Sequence, residues 1–196
     1  MAAAVDGVLL AAGRSSRAGA YKMEMELAGK PLLVWSLEAM AAVCQRIIVV
    51  AGSQAEKVRR LLQGWPGVEV ALNENFAAGM LTSIQAGVRL VRAARFFIHP
   101  GDMPLVKAAV YRQLLAAREE IVVPVCRGRR GHPVLLVSRL IPELLAEAPD
   151  SSLGRFIGRR GAGTVEVADP GILADLDDRE DMKKIDALLR ARGEHE

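Results

Sequence analysis

Short apolar runs rich in β-branched residues alternate with segments of helical spacing through the first two-thirds of this 196-residue chain. The apolar runs end at glycine or at a polar loop, which is typical of buried strands. The predicted strands cover residues 8–11, 47–50, 68–72 and 96–98, and the predicted helices cover residues 30–40, 56–62 and 80–91. This repeated strand–helix order predicts a parallel sheet with helices on both faces and right-handed crossovers.

The last third of the chain has a different pattern. Two predicted strands, residues 121–125 and 134–137, flank an arginine-rich loop. Helical segments at residues 140–147 and 153–159, a strand near residues 165–167 and a final helix from about residue 179 follow. Because no linker or internal repeat divides the chain, the sequence predicts one α/β domain over residues 1–196.

Composition narrows the classes of protein and ligand to consider. Apolar residues make up 51% and charged residues 25% of the chain, as in globular proteins, and no run approaches the roughly 18 apolar residues of a membrane span. The first residues lack the pattern of a signal peptide, so we expect a cytoplasmic protein without a membrane partner. Aromatic residues are only 4%, the net charge is +3 and the arginines form short clusters, which favours small anionic ligands over nucleic acid.

The first predicted strand leads into a loop rich in glycines and cations. Residues 10–22 read Leu-Ala-Ala-Gly-Arg-Ser-Ser-Arg-Ala-Gly-Ala-Tyr-Lys. Backbone amides and fixed positive charge at the carboxyl end of a strand suit a polyphosphate ligand. The spacing of Gly13 and Gly19 matches neither the Walker A loop nor the dinucleotide fingerprint. The alternative interpretation is a glycine-rich connection whose arginines are simply solvated.

Three polar stretches follow predicted strands and should meet at one edge of the sheet. They are residues 13–22, residues 73–83 and the pair Gly101-Asp102. Open α/β sheets bind ligands at the carboxyl ends of their strands. A carboxylate such as Asp102, placed beside a phosphate loop, is suited to hold Mg²⁺ against phosphate oxygens. The alternative is that Asp102 caps a helix that begins near Pro104.

An acidic cluster before the last predicted helix offers a second carboxylate. Asp175 and Asp177 are two residues apart, so both side chains would point to one face of an extended segment. Asp177 could then bind the same Mg²⁺ as Asp102. The alternative is a helix start, with Asp178 as the N-cap and acidic residues in the first turn.

The basic loop between the two later strands is a candidate site for an anionic co-substrate. Residues 127–133 hold three arginines, two glycines and His132. Arginine pairs bidentately with phosphate, although a hairpin tip with solvated arginines is the alternative. His132 is predicted to be a hydrogen-bonding group and not a general base. His99, within an apolar strand, is predicted to be a buried histidine with satisfied hydrogen bonds.

Taken in order, these motifs resemble a known family. The order is residues 10–22, 29–32, 79–83, 101–104, 131–133 and 175–177, followed by Glu180-Asp181. It resembles the MobA-like NTP transferase family, the nucleotidyltransferases related to molybdenum-cofactor biosynthesis. The resemblance covers nearly the whole chain. The Leu-Ala-Ala-Gly and Gly-His-Pro motifs, with Ala12 where guanylyl-transferring relatives tend to have glycine, look most like the molybdenum cofactor cytidylyltransferase branch.

The resemblance implies a fold and an activity. The fold is a three-layer, Rossmann-like nucleotidyltransferase fold of the nucleotide-diphospho-sugar transferase type, with a mostly parallel sheet flanked by helices. Residues 1–105 would form the nucleotide-binding half, and residues 106–196 an acceptor-binding elaboration with a C-terminal helix. The activity is Mg²⁺-dependent transfer of CMP from CTP to the phosphate of molybdopterin, with release of pyrophosphate.

The resemblance also implies roles for individual residues. The nucleotide-binding residues are Leu10, Ala11, Ala12, Gly13, Arg14, Ser15, Arg17, Lys22, Gly79, Ser83 and Asp102. Among these, Lys22, Arg17 and Asp102 would be catalytic. The Mg²⁺ ligands would be Asp102 and Asp177. The acceptor-binding residues would be Arg130, Gly131, His132 and Arg155.

Several departures from the family pattern concern the acceptor. Residues 150–155 match the family's Gly-Asp-x-Gly-Ala-Arg loop only in part, and the acidic motif reads Asp-Leu-Asp-Asp-Arg-Glu-Asp. Three alternatives therefore stay open: another phosphorylated acceptor, GTP in place of CTP, or a nucleotide-binding accessory protein without turnover. A molybdoenzyme or its maturation factor is a further candidate partner.

Overall fold

The computed structural model describes residues 4–13, 21–148, 150–176 and 179–193 of the chain. The strands are β1 (Val5–Leu10), β2 (Glu26–Leu27), β3 (Lys30–Pro31), β4 (Arg46–Ala51), β5 (Val68–Leu72), β6 (Arg95–Pro100), β7 (Ile121–Cys126), β8 (Arg129–Arg130), β9 (Val134–Val137) and β10 (Gly163–Glu166). The α-helices are α1 (Leu32–Ala41), α2 (Ala55–Leu61), α3 (Met80–Val88), α4 (Ala108–Ala116), α5 (Ile141–Ala146), α6 (Leu153–Arg160) and α7 (Arg179–Gly193). Among the helices of these ranges, none has the length and apolarity needed to span a membrane.

Eight strands form one mixed sheet in the order β10-β7-β9-β6-β1-β4-β5, with β8 paired to β7. Strands β6, β1, β4 and β5 are mutually parallel, as the sequence pattern predicts. Strand β9 runs antiparallel to both of its neighbours, β6 and β7. Strands β2 and β3 pair in a separate two-stranded hairpin.

Each face of the sheet carries its own hydrophobic core. Leu9 of β1 belongs to a cluster that includes buried residues of α1, α4 and α7. Its neighbour Val8 belongs to a second cluster, formed with α3, α5 and α6. Successive side chains of a strand point to opposite faces, so a strand buried on both sides is mostly apolar. The predicted three-layer α/β fold, with a mostly parallel sheet flanked by helices, is confirmed.

Several local details differ from the sequence prediction. Helix α4 begins at Ala108 and not near Pro104, and no side chain caps its start. Helix α1 begins after Pro31 and not at Lys30, since those two residues pair with β2. Helix α3 ends at Val88 and not at residue 91. Two residues of the predicted basic loop instead pair back on β7 as β8.

Parallel pairing brings the carboxyl ends of β1 and β6 side by side. Leu10, the last residue of β1, is in register with Pro100, the last residue of β6. Chain segments that follow these two strands therefore start next to each other, although 90 residues of sequence separate them. This edge of the sheet holds the candidate site.

Candidate active site

Lys22 and Asp102 meet at the carboxyl edge of the sheet. Lys22 Nζ lies 2.9 Å from Asp102 Oδ2, and the two side chains are 20% and 27% exposed. Lys22 begins a 3₁₀ turn, Lys22–Glu24, whereas Asp102 follows β6. The pair places an ammonium and a carboxylate within reach of solvent and of each other. An anionic ligand that enters this edge meets both groups together.

Gly101 explains how Asp102 comes so close to β1. Its amide donates to the carbonyl of Leu10 at 2.8 Å, and its carbonyl accepts from Ser36 Oγ at 3.1 Å. A Cβ at this position would lie 2.9 Å from the Leu10 carbonyl oxygen. A side chain here would push the segment that carries Asp102 away from the strand.

Asp102 does not cap helix α4. Helix α4 begins at Ala108, and the residue before it is Lys107, so Asp102 is several residues too early to cap it. The carboxylate is paired with Lys22 instead. The main-chain carbonyl of Asp102 accepts from the amide of Leu176 at 3.0 Å, which brings the acidic segment to this edge.

Four residues predicted for the site, Arg14, Ser15, Arg17 and Asp177, lie outside the described residues. Asp175, two residues before Asp177, is exposed and close enough to His132 to raise the pKa of that imidazole. Within the described ranges, no group of three or more histidine, cysteine, aspartate or glutamate side chains could hold a metal ion. Mg²⁺ needs fewer protein ligands than that, because substrate phosphates and water complete its octahedron.

His132 joins the edge from the loop between β8 and β9. Its amide donates to the carbonyl of Ile172 at 3.0 Å, and the amide of Gly131 donates to the carbonyl of Pro124 at 3.0 Å. Burial lowers the pKa of His132 below its usual value, and the nearby carboxylates of Asp102 and Asp175 partly offset that effect. The imidazole is therefore neutral at neutral pH, and its role as a hydrogen-bonding group stays a prediction.

The other two arginines predicted to bind the acceptor, Arg130 and Arg155, lie in different parts of the fold. Arg130 is exposed on β8, two residues before His132. Arg155 lies at the start of α6, where its amide donates to Ser152 Oγ and its Nη1 donates to the carbonyl of Asp150 at 3.3 Å. Among the described contacts, Arg155 thus bonds within its own loop and is not joined to the Lys22–Asp102 pair.

A buried hydrogen-bond network holds the loop between β5 and α3. Asn73 Nδ2 donates to Thr82 Oγ1 at 3.0 Å and to Ser83 Oγ at 2.9 Å. Thr82 Oγ1 also lies 2.8 Å from the carbonyl of Gly79, whose φ of 123° favours glycine. Ser83 is 4% exposed, so its hydroxyl serves this network. Gly79 and Ser83 are predicted nucleotide-binding residues, whereas Asn73 is predicted only as the first residue of the polar stretch 73–83, with no role of its own.

His99 is a second group that the prediction described incompletely. It is fully buried, as expected, and its Nε2–H donates to the carbonyl of Met103 at 3.3 Å. Its Nδ1, however, has no hydrogen-bond partner within the described part of the chain, so the histidine is satisfied at one nitrogen and not at both. Burial lowers the pKa of His99 to about 3, and the neighbouring His132 adds to the effect.

The sequence profile of the MobA-like NTP transferase domain matches residues 7–164. The chain belongs to this nucleotidyltransferase family. The chain is 26% identical to the molybdenum cofactor cytidylyltransferase of Escherichia coli, over 91% of this chain and 94% of that protein. It is also 26% identical to the molybdenum cofactor guanylyltransferase of Cereibacter sphaeroides, over 94% of this chain and 96% of that protein.

Solved structures show the same fold. The Rv0371c protein of Mycobacterium tuberculosis superposes with a TM-score of 0.82 at 24% identity, over 94% of this chain and 98% of that one. A second structure of that protein, a complex with manganese, superposes with a TM-score of 0.76 at 24% identity, over 93% of this chain and 97% of that one. At this identity the structural likeness bears on the fold alone.

Proposed function

We propose that this protein transfers CMP from CTP to the phosphate of molybdopterin and releases pyrophosphate. The observation that carries the proposal is the Lys22–Asp102 pair at the carboxyl edge of a nucleotidyltransferase sheet. An ammonium stabilises charge on a phosphate, and a carboxylate binds the divalent metal that accompanies it. The choice of CTP and molybdopterin is supported by the likeness to the Escherichia coli cytidylyltransferase.

The reaction is an in-line displacement at the α-phosphorus of CTP. An oxygen of the acceptor phosphate forms the new bond to that phosphorus, while the bond to the β-phosphate breaks and pyrophosphate departs with the electron pair. The acceptor phosphate is already anionic at neutral pH, so the step needs no general base. Lys22 stabilises the charge that develops on the α-phosphate, and Arg17 with the amides of Ala12 and Gly13 holds the departing pyrophosphate.

A divalent metal fits the carboxylate of Asp102. This is a hard oxygen ligand, partly exposed, on the same edge as the lysine. Asp102, with Asp177 as the second carboxylate, would hold Mg²⁺. When bound, the ion neutralises charge on the phosphate oxygens. The manganese complex of the Mycobacterium tuberculosis protein is consistent with a divalent ion at this fold.

The two halves of the chain have different tasks in this proposal. Residues 1–105 bind the nucleotide, and the loop held by Asn73 contacts the base. Residues 106–196 bind the acceptor, whose phosphate meets Arg130, Gly131 and His132 beside the Lys22–Asp102 pair. A neutral His132 donates one hydrogen bond to the acceptor phosphate and does not neutralise the negative charge of that phosphate. Arg155 would contact a part of the acceptor farther from its phosphate.

A guanylyltransferase is the second candidate, favoured by one observation. The identity to the Cereibacter sphaeroides guanylyltransferase equals that to the cytidylyltransferase. Ala12, 7% exposed at the start of the phosphate loop, supports CTP because guanylyl-transferring relatives tend to have glycine there. In this proposal, the residue that favours CTP over GTP is Ala12.

The deciding experiment measures pyrophosphate release with each NTP and Mg²⁺, with and without purified molybdopterin. We expect release with CTP that requires molybdopterin, and a dinucleotide-type product identified by mass spectrometry. Lys22→Ala should slow turnover on the order of 10²–10³-fold, by analogy with loss of one electrostatic contact to a transition state.

The matched control is Lys30→Ala. Lys30 is also paired with a carboxylate, Glu38 at 2.6 Å, but the two residues belong to the β2–β3 hairpin and to α1, not to the carboxyl edge of the main sheet. We expect its turnover to stay within about twofold of the unaltered protein, because exposed ion pairs contribute little. Near-normal turnover of Lys22→Ala would contradict the role of that lysine. Tight NTP binding without pyrophosphate release would instead favour an accessory protein without turnover.

A further inference from the structure

Tyr21 stands directly before Lys22 and has no part in the reaction described above. Its ring is almost fully buried, with 6% of the residue exposed. Its hydroxyl donates to the main-chain carbonyl of Ala11 at 2.6 Å. This bond connects the residue that precedes the lysine to the residue that follows β1.

Two successive carbonyls at the end of β1 hold the two members of the ion pair. The carbonyl of Leu10 accepts from the amide of Gly101, which precedes Asp102. The carbonyl of Ala11 accepts from the hydroxyl of Tyr21, which precedes Lys22. Each charged residue is therefore fixed through its N-terminal neighbour to the same dipeptide. The ammonium of Lys22 and the carboxylate of Asp102 lie 2.9 Å apart.

Ala11 is a rigid anchor for this bond. It is fully buried, and its own amide donates to the carbonyl of Val50 in β4 at 2.7 Å. Removing the tyrosine hydroxyl would leave the buried carbonyl of Ala11 without that donor, which is unfavourable in an apolar environment. The segment would have to move to find another donor or water.

The other end of Tyr21 is fixed to the turn that carries Lys22. The carbonyl of Tyr21 accepts from the amide of Glu24 at 3.0 Å, which closes the 3₁₀ turn. Glu24 is in turn paired with Lys57 of α2 at 3.0 Å. A shift of the phenol would therefore move the start of the turn, and with it the side chain of Lys22.

We propose that Tyr21 is a positioning residue for nucleotidyl transfer, acting through the Ala11 carbonyl to fix Lys22 relative to Asp102. The inference rests on the proposed function, because it assigns Lys22 to the transfer step. A small displacement of a charge-stabilising group lowers kcat more than it lowers the affinity for the nucleotide. The reason is that the charge that the group stabilises develops in the transition state.

The test compares Tyr21→Phe with Tyr111→Phe. Tyr111 is also fully buried, but its hydroxyl has no hydrogen-bond partner among the described residues, so the same deletion there removes no bond. We expect Tyr21→Phe to lower kcat about tenfold or more while KM for the nucleotide changes less than about threefold. Tyr111→Phe should leave both constants near those of the unaltered protein. A kcat of Tyr21→Phe within about twofold of the unaltered value would overturn the proposal.

A double-mutant cycle separates positioning from a general loss of stability. If Tyr21 acts through Lys22, adding Tyr21→Phe to Lys22→Ala should have almost no further effect on kcat. A further loss as large as in the single variant would show that the hydroxyl acts elsewhere, and would contradict the assignment.

A chemical readout keeps the proposal independent of the assumed reaction. The rate at which acetic anhydride acetylates Lys22, measured by peptide mass spectrometry and normalised to Lys30, reports how firmly the ammonium is held. We expect a faster rate in Tyr21→Phe and an unchanged rate in Tyr111→Phe. If the unaltered protein releases no pyrophosphate with any acceptor, the proposed function fails, and this labelling alone decides whether Tyr21 positions Lys22. Equal labelling rates in all three proteins would overturn the inference.

Discussion

Mild acid should destabilise this protein through His99, above the pH at which its carboxylates titrate. The imidazole is fully buried beside Tyr111, with ring centroids 5.9 Å apart, and among the described residues the titratable neighbour that lowers its pKa is His132. Within the described part of the chain, no carboxylate is among the groups that affect the pKa of His99. A proton added to His99 would therefore create a buried, uncompensated cation.

The size of the effect follows from the two pKa values of the same side chain. The folded protein holds the pKa of His99 at about 3, whereas the unfolded chain should have the ordinary value of about 6.5. Between these values the unfolded chain binds more protons, so the free energy of unfolding falls as the pH falls. One pKa unit corresponds to about 1.4 kcal/mol, and a change from about pH 7.5 to about pH 5 should remove about 2 kcal/mol.

The assay is urea unfolding at about pH 7.5 and about pH 5, for the unaltered protein and for His99→Gln. Glutamine does not titrate, and its Nε2 can still donate to the carbonyl of Met103. Each protein serves as its own reference, so any constant cost of the substitution cancels. His132 contributes equally to both proteins, as do the carboxylates of Glu120 and Glu147, whose pKa values are lowered by hydrogen bonds from arginines.

We expect the unaltered protein to lose about 2 kcal/mol more than His99→Gln between the two pH values. An equal loss in both proteins would refute the reasoning, because His99 would then bind no extra proton on unfolding. A smaller loss in the unaltered protein would reverse the sign of the predicted linkage.

Two further predictions concern the backbone and the loop of the candidate site. Gly131→Ala would place a Cβ 2.2 Å from the carbonyl oxygen of Ile172, so we expect a loss of about 1–3 kcal/mol by thermal unfolding together with slower turnover. Gly158→Ala is its control: a Cβ there meets nothing within 4 Å inside a helix, and alanine should stabilise by about 0.5–1 kcal/mol. Asn73→Ala should raise KM for the nucleotide and lower the free energy of unfolding by about 1–3 kcal/mol, because the buried hydroxyl of Ser83 loses a hydrogen-bond donor. An unchanged KM in nucleotide titrations would show that this loop is not part of the nucleotide site.

Much of the sheet could be predicted from local pattern alone. The apolar runs at β1, β4, β5 and β6 alternate with helical spacing, and this order requires parallel strands. The place of β9 could not be predicted in this way. It lies between β6 and β7 and runs against both, and nothing in its four apolar residues specifies those neighbours. The start of helix α4 could not be read from the sequence either, because no side chain caps it and it begins at Ala108 and not near Pro104.

The residues of the candidate site likewise include some that the sequence indicated and some that it did not. Glycine-rich and acidic motifs after strands indicated Lys22 and Asp102, because such positions always lie at the carboxyl edge of a parallel sheet. Asn73 and Tyr21 gave no comparable signal, since an asparagine after a strand and a tyrosine before a lysine are common. Their importance comes from partners that lie about ten residues away and become visible when the loops are folded.

The sequence by itself determined the α/β class, the parallel core and the edge of the sheet at which the candidate residues lie. These follow from periodicity and from the residue types that end each strand, which are local properties of the chain. Only the tertiary structure decided that Lys22 and Asp102, 80 residues apart, meet at 2.9 Å, and that Leu10 and Ala11 hold them there. Such distances depend on strand register and on individual hydrogen bonds between distant segments, and a local pattern carries no information about either.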